Sequence, residues 1–320
     1  QNKKNILEVP GASHIDLSEV EKTFSLSLIK NLVQLIKREN PDIIQCNGSD
    51  TLKYMVAASY FTPSIPITYR NISIISIWLD GAVKTFLYSK MCKRIDHVTS
   101  VGNEAAEDFR NALQYPSRKI SVIRRGIPIK KIETSMAAPI RDQFGMTSED
   151  KIAVHIGNFS VEKNHEFLID VFLKIKERNK NLKLVLVGDG LLFKQIKKKI
   201  TELNLQNTIF LAGFRKDISE ILAASNCFVL SSKVEGVPGV ILEAAAQKVP
   251  AVATNVGGVK EVLINNHTGY IIDDFDKDKF AEKIIKILTD EVLQLELGSN
   301  AYKMVEKDFN PVKNAKKIED

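Results

Sequence analysis

The 320-residue chain is short of several things that would narrow its chemistry quickly. It has three cysteines, Cys46, Cys92 and Cys227, too far apart for a metal-ligand pair and odd in number. They are expected to be reduced core residues. No run approaches the roughly 20 apolar residues that span a bilayer, and QNKKNILEV at the start lacks the apolar core of a signal peptide. A cytoplasmic protein is expected. No aromatic-basic interleaving points to nucleic acid, so no nucleic-acid partner is expected. No Asp-x-Asp stands at a strand end in a metal-binding context, and His14, His97, His165 and His267 have no spacing that suggests a metal or a catalytic triad. No metal and no cofactor are expected. VGDG (187–190) has no third glycine, which leaves it short of a dinucleotide fingerprint; Asp189 is read as turning the chain.

What is present is a globular balance, 44% hydrophobic and 26% charged, with a net charge of +6. Much of that charge sits on amphipathic stretches such as FKQIKKKI (193–200), read as a solvated face. The alternative is weak attraction to phosphates or an anionic membrane. From residue 151 onward, apolar β-rich runs alternate with helical patterns. IAVHIG (152–157), LKLVLVG (182–188), TIFLAGF (208–214), CFVLSS (227–232), AVATNV (251–256) and GYIID (269–273) are separated by amphipathic segments. That rhythm predicts a parallel sheet flanked by helices, with strands covered on both faces. The first part repeats it less cleanly, as helix-then-strand units ending in PDIIQCN, PITYRN, DHVTSVG and KISVIRRG. IPIKKIETSMAAPIRDQFGMTSED (127–150) breaks the pattern. The chain therefore divides into an N-terminal α/β domain (1–128), a linker (129–150), a C-terminal α/β domain (151–304) and a C-terminal helix (305–320) expected to pack back on the first domain.

Open α/β sheets bind ligands beyond the carboxyl ends of their strands, so the residues after each strand matter most. After CFVLSS comes VEGVPGVILEAAAQ, in which a helix starts near Gly239. Its first amides lack intrahelical partners and suit a phosphate. Gly236 and Gly239 are expected to let a ligand approach the backbone closely. Glu243 lies within the helix but leans toward its N-terminus, facing Glu235 in the loop. Two carboxylates fit sugar hydroxyls better than phosphates.

The full stretch EGVPGVILEAAAQKVPAVATNVGGVKEVL (235–263) resembles the nucleotide-sugar signature of retaining glycosyltransferases of family 4. IGNFSVEKNHEFLI (156–169), LVLVGDG (184–190), LAGFRKDISEILAASNCFVLSS (211–232) and HTGYIID (267–273) agree in the same order, and residues 40–128 more loosely. The resemblance implies the GT-B fold, two facing Rossmann-like domains with parallel sheets and a cleft between them. It implies that Glu243 binds the ribose, that Glu235 contacts the donor sugar, and that the Gly239 and Val240 amides meet the phosphates. Lys163 would grip the departing diphosphate, Gly157 and Asn158 would follow a strand at the donor site, and Phe214 and Arg215 would hold the base mostly through backbone. The implied reaction moves a sugar from a nucleotide diphosphate, UDP by default, to a saccharide or lipid-linked hydroxyl. It proceeds with retention, through front-face substitution and without a protein general base. The variants resemble those of bacterial surface-polysaccharide enzymes, and a lipid-linked acceptor implies contact with the inner membrane face.

Two departures from the family pattern stand out. Asn158 occupies a position where relatives carry an arginine, and Arg124 or Arg125, which replace a usual Pro-Asn, could supply the missing charge. NILEV (5–9) fits a first strand, but no glycine-rich loop or long helix follows it; a segment is expected to be missing from the sequence or lost by the protein. Arg70 and Asn71, ending PITYRN, are expected to face the cleft, with Arg70 on donor phosphate or an acidic acceptor. His155, inside an apolar strand, is expected in the core. A nucleotide-sugar epimerase of the same architecture and a non-catalytic nucleotide-binding relative remain alternatives at this point.

Overall fold

The structure, a computed structural model, describes residues 25–77, 79–129 and 134–319, with Ser13, Ile15, Leu17 and Ile132 as isolated positions. The strand read over 5–9 lies outside the described residues. The chain divides into two compact units, residues 1–70 with 81–98, and residues 71–80 with 99–320. The first holds α1 (Leu26–Glu39), β1 (Ile44–Asn47), α2 (Ser49–Ser59), most of β2 (Ile67–Asn71), α3 (Ala82–Cys92) and the start of β3 (His97–Ser100). α1 begins at Ser25, whose Oγ accepts the Leu28 N–H at 3.2 Å, and ends at Asn40 in the left-handed region. β1 and β2 run parallel with Ile44 opposite Ile67. The sheet order is β1-β2-β3-β4, where β4 is Ile120–Val122. Cys46 and Cys92 are buried free thiols, which burial pushes up to about 11 and about 12. They behave as small core residues.

The second unit carries α4 (Asn103–Leu113), β4, α5 (Thr134–Gln143), β5 (Lys151–Ile156), α6 (His165–Arg178), β6 (Leu182–Val187), α7 (Phe193–Glu202) and β7 (Ile209–Gly213). It continues through α8 (Ile218–Ala223), β8 (Cys227–Leu230), α9 (Gly239–Ala246), β9 (Ala251–Thr254), a short 3-10 turn (Gly257–Glu261), β10 (Gly269–Ile272), α10 (Lys277–Thr289), α11 (Glu291–Asp308) and α12 (Pro311–Glu319). Its sheet runs β10-β9-β8-β5-β6-β7, with each neighbouring pair parallel. Alternate residues of one strand enter different cores: Val185 and Val187 pack on one side of the sheet, Leu184 and Leu186 on the other. Both faces are therefore covered, which is why LVLV is apolar at every position. Leu186 is fully buried, and Leu186→Ala is expected to cost about 2–5 kcal/mol.

Two segments differ from the sequence reading. The stretch 129–150 contains α5, with Pro139 inside it, and Ile140 and Met146 are buried in the core of the second unit. The C-terminal helix is in fact the end of α11 followed by α12. Phe309 and Asn310 separate the two, and the Asn310 side chain accepts the Val312 and Lys313 N–H groups while Pro311 takes the first helical position.

The order of strands fixes where a ligand belongs. From β5 the chain moves outward to β6 and β7, then returns across to β8, so the switch lies between β5 and β8. Gly157 and Ser231 are the residues just past those two strand ends.

Candidate active site

The loop after β8 holds the turn after β5 in place. Ser231 Oγ donates to the carbonyls of Lys163 and Asn164 at 2.9 and 3.1 Å, and the Lys233 N–H donates to the Glu162 carbonyl at 2.7 Å. Asn164 takes the left-handed conformation, which asparagine tolerates, and α6 starts at the next residue. The Lys163 stem lies over Gly157, where a Cβ would sit 3.4 Å from Lys163 Cδ. Its ammonium then reaches Glu235 Oε1 at 2.5 Å, and Ser232 Oγ donates to that same oxygen at 2.5 Å. The Glu235 side chain is only 10% exposed and that of Lys163 24%, so this pair is largely withdrawn from water. Both bonds converge on Oε1; among the described residues Oε2 receives none.

Glycines beneath this loop serve packing. A Cβ on Gly257 would fall 1.9 Å from the Glu235 carbonyl oxygen, and the Gly258 N–H donates to the Gly236 carbonyl at 2.8 Å. The freedom expected at Gly236 for a ligand is used by the Ile72 carbonyl, 3.1 Å from where a Cβ would be. The same turn ends in Glu261, whose carboxylate accepts the N–H groups of Asn103 (2.7 Å) and Glu104 (3.0 Å) at the start of α4. Gly102 makes room for it, since a Cβ there would meet Glu261 Oε1 at 2.3 Å. Burial, the Glu261 charge and Asp108 raise the Glu104 carboxyl above its ordinary value.

α9 begins at Pro238 without a side-chain cap and without an acidic residue in its first turn. Its leading amides and the positive end of its dipole are left for an anion. Arg125 lies over this helix start: a Cβ on Gly239 would be 2.8 Å from Arg125 Nη1. One turn further, Glu243 Oε1 stands 4.0 Å from Arg125 Nη2. Burial raises the Glu243 carboxyl above its ordinary value, and Arg125 partly offsets the shift. Arg124 is elsewhere, its guanidinium 5.3 Å from the Phe309 ring centroid. Of the two arginines considered for the charge that Asn158 lacks, the structure puts Arg125 at the site.

The remaining residues divide. Asn158 is exposed and Val240 half-buried. Phe214 is 73% exposed after β7. The Arg215 guanidinium is paired with Asp217, at 2.8 Å through Nε and again through Nη2, and with Gln143 at 2.8 Å. Arg70 is half-buried and belongs to the first unit. Asn71 is not cleft-facing as expected: it is fully buried and donates to Ser100 Oγ and the Ala105 carbonyl. Asp189 turns the chain, accepting the Gly190 N–H with its own side chain. His155 is fully buried with Nδ1 2.9 Å from the Val229 carbonyl oxygen, and its ring meets that of buried His165 edge-on at 4.7 Å. Burial, foremost, lowers them to about 4 and about 3, so both rings are neutral beside Lys163. Ser231, Ser232 and Glu261 were missed as site-building residues. The serines end CFVLSS and Glu261 lies within the quoted signature, but neither position announces its partner.

Comparison with known proteins shows the family of the chain. The family model described as "Glycosyl transferases group 1" matches residues 137–304. The chain belongs to this family. A second model, "Glycosyltransferase Family 4", matches residues 4–131. The chain is 26% identical to N-acetyl-alpha-D-glucosaminyl L-malate synthase of Bacillus anthracis, over 91% of this chain and 76% of that protein. It is 27% identical to the Escherichia coli UDP-Gal:alpha-D-GlcNAc-diphosphoundecaprenol alpha-1,3-galactosyltransferase, over 92% and 80%. Among solved structures, Anabaena Alr3699/HepE in complex with UDP superposes with a TM-score of 0.84 at 24% identity, covering 91% of this chain and 80% of that one. The glycosyltransferase has the α/β GT-B fold. Among its described residues no helix is long and apolar enough to cross a membrane.

Proposed function

We propose that this glycosyltransferase moves a sugar from a UDP-sugar, with retained anomeric configuration, to a hydroxyl of a saccharide or lipid-linked acceptor during polysaccharide or glycoconjugate synthesis. The observation that carries the reading is the half-buried Lys163–Glu235 pair beside the uncapped start of α9. The names of relatives support the substrates: the E. coli protein is named for a UDP-galactose donor and a diphosphoundecaprenol-linked acceptor, and the Anabaena protein holds UDP.

In this reading the diphosphate sits on the Gly239 and Val240 amides with Lys163 and Arg125 as its cations. As the glycosidic bond breaks, negative charge gathers on the leaving oxygen, and fixed positive groups stabilise that state more than the ground state. Asn158 adds no charge, which leaves the arginine's part to Arg125. Glu235, with Oε1 held by Lys163 and Ser232, offers Oε2 to a donor-sugar hydroxyl. Glu243 takes a ribose hydroxyl. A donor phosphate oxygen assists deprotonation of the acceptor on the same face of the sugar. No divalent ion is assigned a part, and EDTA is expected to leave the rate unchanged.

The test is product analysis: the full chain is incubated with UDP-sugars and saccharide or lipid-linked acceptors, and the product is examined by NMR. An α-linked glycoside from an α-linked donor, with UDP released, is expected. A β-linked glycoside, or an epimerised donor with no glycoside, would overturn the reading.

A further inference from the structure

Arg125 lies over the start of α9 without being held there by its own side chain. Among the described residues its guanidinium makes no hydrogen bond, Glu243 Oε1 stands 4.0 Å away, and the side chain is 60% exposed. A long side chain that loose goes where its backbone sends it, because every free rotamer dilutes the useful position. The backbone beside it is tightly held. A Cβ on Gly126 would strike Pro311 Cα and lie 2.6 Å from Pro311 Cβ, so two stretches of chain touch there with no room for a side chain. The next residue, Ile127, donates its N–H to the Phe309 carbonyl at 2.8 Å. Ile127 and Phe309 are both buried, which withdraws that bond from water. On the other side of Arg125, the Arg124 guanidinium lies over the Phe309 ring.

α11 carries this clasp at its end, and the same helix holds α9. Ala301, Met304 and Val305 of α11 share one core with Leu242 and Ala245 of α9 and with Ile127 and Phe309. Gly298 closes the contact, since a Cβ there would strike the carbonyl of Lys248, two residues past the end of α9. α11 is therefore a rod with the anion-binding helix packed along it and the Arg125 backbone tied to its last turn. The rod sets the spacing between that backbone and the leading amides of α9.

We propose that the turn joining α11 to α12 positions the donor cation: Phe309 and Pro311, gripping Ile127 and Gly126, set Arg125 over the start of α9. These are positioning residues, which act on the diphosphate through Arg125. The inference rests on the proposed part of Arg125 in donor binding and names what places it.

The experiment is a pair of double-mutant cycles on the full chain, read as UDP affinity by calorimetry with thermal unfolding measured alongside. Arg125→Ala should weaken UDP about tenfold, the loss of one charge-assisted contact. Gly126→Ala should weaken it roughly threefold to tenfold in the wild-type chain but less than about twofold once Arg125 is alanine, because a cation that is gone cannot be misplaced. Phe309→Leu keeps the carbonyl and an apolar side chain; it should show the same pattern at smaller size, and it decides the matter if Gly126→Ala does not fold. Gly102→Ala, which crowds a neighbour that does not touch Arg125, should lower the unfolding temperature and leave UDP affinity within about twofold. Equal weakening of UDP in both Arg125 backgrounds overturns the positioning and leaves the proposed function standing. So does unchanged affinity in Gly126→Ala and Phe309→Leu when Arg125→Ala is weakened. An Arg125→Ala chain that binds UDP like wild type takes Arg125 out of the donor site and this inference with it. Failure of the wild-type chain to use any UDP-sugar removes the function itself, and the inference falls with it.

Discussion

Glu235 and Glu243 are eight positions apart in sequence and differ in almost everything else. Glu235 is nearly enclosed, with one oxygen fixed by both an ammonium at 2.5 Å and a hydroxyl at 2.5 Å. Glu243 is about one-third exposed, has the Arg125 cation 4.0 Å away, and is held above its ordinary value by burial. A rigid, charge-compensated carboxylate suits the reacting sugar, where small misplacements slow the chemistry. A looser one suits a ribose hydroxyl, whose binding is the same before and during reaction. On the proposed function the difference would separate rate from affinity along a short piece of chain.

The largest expected effect falls on the rate side. Lys163→Ala removes the leaving-group cation and also strands Glu235, so kcat should drop roughly 10²–10³-fold in single-turnover measurements. A fall confined to KM would put Lys163 on the ground state only. Next comes Glu243→Gln, which should weaken UDP-sugar binding about tenfold by calorimetry, the scale of a hydrogen bond to a charged acceptor. Because the Glu243 carboxyl is raised above 4.5, its ionised form grows in as pH climbs through that raised value. Wild-type affinity for a UDP-sugar, whose diphosphate diester holds no proton there, should therefore improve with rising pH, and the Gln variant should lose that limb.

Arg125→Ala should raise the donor KM by roughly tenfold while Arg124→Ala leaves it within about twofold, since only Arg125 covers the start of α9. Equal effects would undo the assignment of the charge that Asn158 lacks. The smallest change belongs to Gly102→Ala, whose Cβ would displace the Glu261 carboxylate from α4. A loss of about 1–2 kcal/mol in unfolding free energy is expected, with donor KM nearly unchanged.

Much of this was legible because the second unit's strands are buried on both faces. IAVHI, LKLVLV and CFVL declare themselves by composition, and the glutamates, Lys163 and Gly239 come from one continuous signature and one turn. α5 was hidden because Pro139 and small residues interrupt any helical period, yet Ile140 is buried at 6% exposure. Asn71 was misread because a polar residue at a strand end looks the same whether it faces water or, as here, bonds Ser100 and Ala105. The tie from Glu261 to Asn103 spans 158 positions, and no local pattern encodes a partner so distant. Choosing Arg125 over Arg124 needed coordinates, because adjacent residues point in different directions and sequence cannot say which one meets α9.

Calorimetric titration of UDP, without any sugar, into Glu235→Gln and Glu243→Gln tests the division of labour most directly. The account predicts that Glu235→Gln binds UDP no more weakly than wild type while turning over far more slowly, and that Glu243→Gln loses about tenfold in UDP affinity. Equal weakening of UDP in both variants would contradict it.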